Sequence, residues 1–124
     1  MAKAEPKTRI LLPKRYKKGD VIEVRIKVKY PSTTGLKFVE GKFVPAEKPA
    51  DYLDDVKVYY GDTLISHFDL TAATSPNPLF RIKVLVDKEA PLKVVVTLNE
   101  IKDDKGNVVR KAKDYVTTVQ IKPQ

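Results

Sequence analysis

Residues Val21 to Tyr30 read VIEVRIKVKY. Ile22, Val24, Ile26, Val28 and Tyr30 fall on one side of an extended chain, and Glu23, Arg25, Lys27 and Lys29 on the other. A helix would scatter these apolar side chains around its circumference, whereas a strand collects them, because successive side chains point to opposite faces. The segment is therefore a half-buried strand with a dry, β-branched side and a charged side in water.

The same period recurs outward from this strand. Val56, Val58 and Tyr60 alternate with Asp55, Lys57 and Tyr59, and Gly61-Asp62 turns the chain into Thr63 to Leu70, where Leu64, Phe68 and Leu70 share a side. This is the pattern of a hairpin. Phe80, Ile82, Val84 and Val86 make the next stripe, followed by Leu92, Val94, Val96 and Leu98. Asp103-Asp104-Lys105-Gly106-Asn107 reads as a reversal, after which a strand from Val108 pairs back. Val109, Tyr115, Val119 and Ile121 keep one parity while Ala112 and Val116 take the other, so a bulge or break is expected near Lys113-Asp114. A short strand, Thr8 to Leu12, precedes the turn Lys17-Lys18-Gly19-Asp20. About seven strands with Gly, Pro and Asp punctuation and no amphipathic helix predict an all-β, antiparallel β-sandwich. Pro31 to Gly35, the proline-bearing chain on to Tyr52, and Thr71 to Pro78 interrupt the rhythm as loops, read either as binding surfaces or as crossings between strands.

Length and composition bound the rest. A chain of 124 residues suits one domain, here 8–121, after a flexible basic segment 1–7. Charged residues make up 32% and hydrophobic residues 42%, with Trp and Cys absent, so aliphatic side chains must supply most of the core. No apolar run is long enough to span a bilayer, and Met1 to Pro6 lacks the apolar core of a secretory signal. No membrane insertion and no export route of its own are expected. The net charge of +8 is uneven: Lys3, Lys7, Arg9, Lys14, Arg15, Lys17 and Lys18 face Glu5 alone near the start, while Asp51, Asp54, Asp55, Asp62 and Asp69 face only Lys57. Such separation orients association with a complementary partner.

Side chains for chemistry are few. Without cysteine there is no disulfide, thiolate nucleophile or zinc–cysteine site. His67 is the sole histidine; alternation turns it away from Leu64 and Leu70, outward or toward an edge contact, with no nucleophile elbow around Ser32, Ser66 or Ser75. Asp54 and Asp55 point to opposite faces, and the Asp103 turn lacks the spacing of a calcium loop. No phosphate-cradling glycine pattern occurs. The chain is expected to be noncatalytic, with no cofactor and no metal. Arg25, Lys27 and Lys29 could track a phosphate backbone, but the tyrosines form no stacking row with them, so the expected partner is a protein and not nucleic acid. Tyr59 and Tyr60 occupy opposite faces of one strand, and Val95 lies outside its neighbours' stripe, which nominates Tyr59, Val95 and His67 as a partner interface.

The segment LPKRYKKGDVIEVRIKVKYPSTTG, Leu11 to Gly35, resembles the N-terminal half of the SoxZ family. The similarity continues through the Tyr59-Tyr60-Gly61-Asp62 hairpin and SPNPLFRIKVLV, Ser75 to Val86, and covers residues 8 to 121. Lys18-Gly19-Asp20-Val21-Ile22-Glu23, the Pro31 to Gly35 loop and Asn77-Pro78 carry it by their order and spacing. The resemblance implies an immunoglobulin- or fibronectin-like sandwich bound as a heterodimer to SoxY, whose arm cysteine carries sulfur intermediates during thiosulfate oxidation. It further implies transient docking to the other Sox enzymes and a periplasmic location, reached by co-export with SoxY. A β-sandwich adaptor of another complex and a basic nucleic-acid-binding module are the alternatives. The chain departs from the family where Tyr30-Pro31-Ser32 replaces a His-Pro-Met-like start to the loop, and in an extended Glu100 to Lys113 hairpin. The basic run Arg110-Lys111-Ala112-Lys113 there reads as a longer soluble hairpin or as a docking rim.

Overall fold

A computed structural model of the chain describes residues 5–30, 36–45, 50–71, 77–103 and 105–123. The Pro31 to Gly35 loop, residues 46–49, most of the Thr71 to Pro78 stretch and Asp104 lie outside the described residues, as do residues 1–4 of the basic N-terminal segment. Every regular element among the described residues is a strand: β1 (Lys7–Leu11), β2 (Val21–Lys29), β3 (Leu36–Val39), β4 (Lys42–Pro45), β5 (Leu53–Tyr60), β6 (Thr63–Asp69), β7 (Leu79–Leu85), β8 (Ala90–Leu98), β9 (Ile101–Lys102), β10 (Val108–Arg110) and β11 (Lys113–Ile121). They pair as a three-stranded sheet, β1-β2-β7, a four-stranded sheet, β11-β8-β5-β6, and two ribbons, β3-β4 and β9-β10. All pairings are antiparallel. The described residues thus hold eleven strands where about seven were expected. The surplus comes from β3 and β4, which are too brief to show a periodic pattern, from the two-residue β9, and from the expected strand at Val108, which divides before Lys113 into β10 and β11.

The alternation of β2 is realised residue by residue. Val24, Ile26 and Val28 are fully buried, and Glu23, Arg25, Lys27 and Lys29 face solvent. Ile82 and Val84 of β7 and the following Val86 line the buried side of this sheet, while Val56, Val58 and Tyr60 of β5 and Leu92, Val94, Val96 and Leu98 of β8 line that of the other. These side chains and Ile121 form one continuous cluster drawn from both sheets. Phe68 of β6 meets Phe80 of β7 with ring centroids 4.8 Å apart, a direct contact from one sheet to the other. Burying a Val, Leu or Ile side chain contributes about 1.5–3 kcal/mol, so the core rests on many aliphatic residues rather than on a few large rings.

Two turns are made by the residues expected of them. Gly61 has φ +61° between β5 and β6, a conformation that costs a residue with a Cβ. At the tip between β9 and β10, Asp103 Oδ1 accepts from the backbone N–H of Asn107 at 2.8 Å and of Lys105 at 3.0 Å. The Asn107 backbone bond, the largest cause, and its companions hold the Asp103 carboxyl below the usual carboxylate value.

The end of β2 is closed by a polar network. Tyr30 is buried and its hydroxyl donates to Asp51 Oδ1 at 2.6 Å. Arg110 Nη2 donates to the same oxygen at 2.9 Å, to the Asn99 carbonyl at 2.9 Å and to Asn99 Oδ1 at 3.2 Å. Asn99, itself buried, accepts from the Tyr52 backbone N–H at 2.8 Å and donates through Nδ2 to the carbonyls of Ala50 and Glu100. Arg110 thus turns inward from the extended hairpin, which neither reading of its basic run foresaw. Burial pulls the Arg110 guanidinium down, but Asp51 and Tyr30 outweigh this and hold it above its ordinary value. Burial, then the Asp51 bond, pushes the Tyr30 phenol up.

Arg110→Ala, which leaves Asp51 without its cation, should lower the unfolding free energy by about 2 kcal/mol, and Tyr30→Phe by about 1 kcal/mol. Urea titration of both variants and their double should show a combined loss smaller than the sum, since they share Asp51; full additivity would contradict the network. A raised phenol pKa favours the protonated folded state, so the wild type should lose stability as pH climbs from the ordinary tyrosine value through the elevated one. Tyr30→Phe should lack that component.

Candidate functional site

The four-stranded sheet turns its second face to solvent, and register determines which side chains meet there. One row across β11, β8, β5 and β6 is Val116, Val95, Lys57 and His67. The next is Thr118, Lys93, Tyr59 and Leu64, and on the other side runs Asp114, Thr97, Asp55 and Asp69. Tyr59, Val95 and His67, nominated from alternation alone, therefore share one face. Tyr59 and Val95 are half-buried and His67 is exposed.

Two further apolar side chains join them. Val116 is 58% exposed and stands directly opposite Val95. Leu64 is 46% exposed, opposite Tyr59. Leu64 was expected on the same side as Phe68, and this expectation is corrected by the register: Val58 pairs with Ser66 but Tyr59 with Leu64, so Ile65 is an extra residue that inverts parity between them. A single-residue bulge leaves no signature in composition, although an exposed Leu64 beside Tyr59 follows once the turn at Gly61-Asp62 is counted outward.

The polar members tie the face together. Lys93 Nζ lies over the Tyr59 ring, 5.0 Å from its centroid, so its stem covers part of the aromatic surface while its charge stays wet. Thr97 Oγ1 donates to Asp114 Oδ1 at 2.7 Å. His67 Nε2 is hydrogen-bonded to Asp55 Oδ1 and lies 3.3 Å from Asp69 Oδ1, with Lys57 Nζ 3.8 Å from the other Asp55 oxygen. Residues 55, 67 and 69 were read separately in the sequence, and only the cross-strand pairing of Asp55 with Asp69 and of Lys57 with His67 unites them.

The chemical reach of this cluster follows from its setting. Asp55, His67 and Asp69 each offer one ligand atom, all within 4.8 Å of one another. They stand on an open strand surface, the Asp69 side chain is 90% exposed, and the Lys57 ammonium sits at the carboxylate a cation would need. Ser66 pairs with Val58 on the opposite side of β6, so no hydroxyl adjoins the imidazole from its own strand. The face thus carries a diagonal apolar band, Val116, Val95, Tyr59 and Leu64, flanked by Lys57, Lys93 and the charged cluster, a mixture of apolar and polar side chains of the kind that protein-binding surfaces use. Because the His67 cluster is exposed, His67→Gln should shift unfolding free energy by less than about 1 kcal/mol in chemical denaturation; a larger loss would mean that the cluster is a structural anchor.

A family model described as Sulphur oxidation protein SoxZ matches residues 9–114. No curated protein matches the chain.

Proposed function

The chain belongs to the SoxZ family, and from that premise we propose that it is the noncatalytic docking half of a SoxYZ heterodimer, in which a SoxY cysteine carries the sulfur during thiosulfate oxidation. A general carrier or adaptor role follows from membership itself; the division of labour is our reading. The observation that carries it is the match over residues 9–114 in a chain that has no cysteine. Sulfur held as a covalent adduct needs a thiolate to attack and to be released from, and this chain supplies none. The thiol must then stand on another chain, and this one holds that chain in place.

The fold supports the proposal in its details. We read the two sheets, which share one core and touch through Phe68 and Phe80, as the layers of an immunoglobulin- or fibronectin-like sandwich over residues 8–121. A shared aliphatic core fixes both sheets relative to each other, and fixed position is what a subunit contributes when its work is to hold the base of an arm carried by its partner. We assign SoxY to the outer face of the four-stranded sheet, with Tyr59, Leu64, Val95 and Val116 as the apolar band it covers and His67 beside them. Location in the periplasm, reached by export together with SoxY, belongs to the same proposal.

Isolation of the protein from its native cells should bring with it a second chain that ends in a cysteine-bearing arm. Recovery of an unrelated enzyme in its place would reject the pairing and favour an adaptor of another complex. Val95→Glu and Tyr59→Glu place a charge on a surface that the fold leaves outward, so circular dichroism should be unchanged while affinity for SoxY falls by on the order of a hundredfold. Unaltered affinity in both folded variants would move the interface elsewhere.

A further inference from the structure

The outer face of the three-stranded sheet has a different character. Its register sets Lys7 opposite Lys29, Arg9 opposite Lys27 and Arg25 opposite Arg81. Like charges directly opposite on an antiparallel pair are destabilising. A fold with nothing to gain from that arrangement would mix the signs, as the outer face of the four-stranded sheet does with Asp55, Lys57, Asp69, Lys93 and Asp114.

Relief on this face is slight. Glu23 is the carboxylate that the three strands place there among the described residues, opposite Lys83 and accepting from Arg25 Nε at 2.9 Å. The Arg25 hydrogen bond first, with the fields of Arg25, Arg81 and Lys83, holds the Glu23 carboxyl below its usual value. It therefore stays ionised, yet it offsets one cation of many. Apolar side chains stand at the margin: Val21 opposite Leu85, both exposed, and Leu11 beside Arg25. A depression of about 390 Å³ lined by Leu11, Leu12, Pro13, Glu23 and Arg25 gives the face some relief in shape.

The kind of partner follows from these residue types together. Single-stranded nucleic acid would need aromatic side chains for stacking, and the outward positions of β1, β2 and β7 carry none. A duplex would set phosphates against Glu23 and leave the aliphatic margin without a use. A protein surface can meet all three elements, with clustered carboxylates over the cations, a donor for Glu23, and apolar side chains against Val21 and Leu85. We infer that this face docks the carboxylate-rich surface of an enzyme that acts on the carrier, with Arg25, Lys27 and Arg81 at its charged centre. The identity of the visitor rests on the carrier reading above; the kind of surface rests on this sheet alone. Long-range attraction of this type speeds encounter and leaves release fast, which suits a carrier that must visit several enzymes in turn.

The test uses the complex as isolated with its partner and the triple charge reversal R25E/K27E/R81E, made at positions that face water; it gives Arg9 an opposite charge across the strands and inverts the sign of the facing pair at 25 and 81. With the purified enzymes that load, oxidise and hydrolyse the bound sulfur, the complex concentration for half-maximal turnover should rise on the order of tenfold at low salt. Maximal rate should be unchanged, the salt dependence of the unaltered complex should flatten, and the like-for-like variant R25K/K27R/R81K should behave as wild type. Unchanged half-saturation and salt dependence would overturn the inference. So would loss of the cysteine-armed chain from the charge-reversed complex, which would make this the pairing face. Saturable binding of a duplex of about 20 base pairs at about 0.15 M salt, abolished by the reversal, would overturn it in favour of nucleic acid. Should the unaltered complex support no turnover, the carrier reading fails separately, and direct binding of both complexes to each enzyme still decides the face.

Discussion

The dry contact between the inner sides of the two sheets sets the terms for the rest of the molecule. It is built from Val24, Ile26, Val28, Val56, Val58, Val94 and Val96, each fully buried, with Leu53, Leu92, Leu98 and Ile121. Stiff branched side chains on a pleated surface lose little rotamer freedom when buried there, which is why a chain without tryptophan can hold a core at this size. The same contact removes choice elsewhere. Because the strand period is two, every inward valine obliges its neighbours outward, and slipping any central strand by one residue would drive its charged side into the core. Both solvent faces are thus fixed, side chain by side chain, by what lies between the sheets.

An aliphatic interior leaves the ends as the weak places, since backbone polar groups there lose their ladder partners and cannot be met by valine. Asn99 and Arg110 supply partners to backbone groups of Ala50, Tyr52, Asn99 and Glu100 at one end, while Asp51 and Tyr30 hold the guanidinium in place, so four separate parts of the chain meet there. The network also gives the β9-β10 extension a structural reason. A hairpin that was only solvent-facing would not need its arginine to reach a buried carbonyl and a shared carboxylate. Partial burial strengthens each of these bonds and raises the cost of leaving any of them unmade.

The parts of this picture open to sequence reasoning were those that repeat. Alternation in β2, β5, β7 and β8 identified nearly every buried residue, and the outward positions of Tyr59, Val95 and His67 followed from the same parity. Features that depend on one unpatterned residue were closed to it. The Ile65 bulge flips Leu64 without altering composition, the short ribbons have too few residues for a period, and Arg110 inside Arg110-Lys111-Ala112-Lys113 looks like any soluble basic run until its neighbours are known. The Asp55, His67 and Asp69 cluster needs a register, which is a property of two strands and not of either one.

The two outer faces differ in a way that bears on how one small domain can serve two kinds of contact. An apolar band with balanced charges, as around Tyr59, Val95 and Val116, gains its free energy from excluded water and so favours a long-lived partner. A face with opposed cations gains mainly in encounter rate, is weakened by salt, and favours partners that leave. The first requires shape complementarity over a broad patch, while the second tolerates several partners that have little in common beyond their charge. Placing them on opposite sheets lets both be occupied at once, because a chain held on one face leaves the other in water. In the proposed role the chain stays joined to an arm-bearing partner while the enzyme it meets changes, and two sheets whose shared core dictates both outer surfaces keep those two contacts apart.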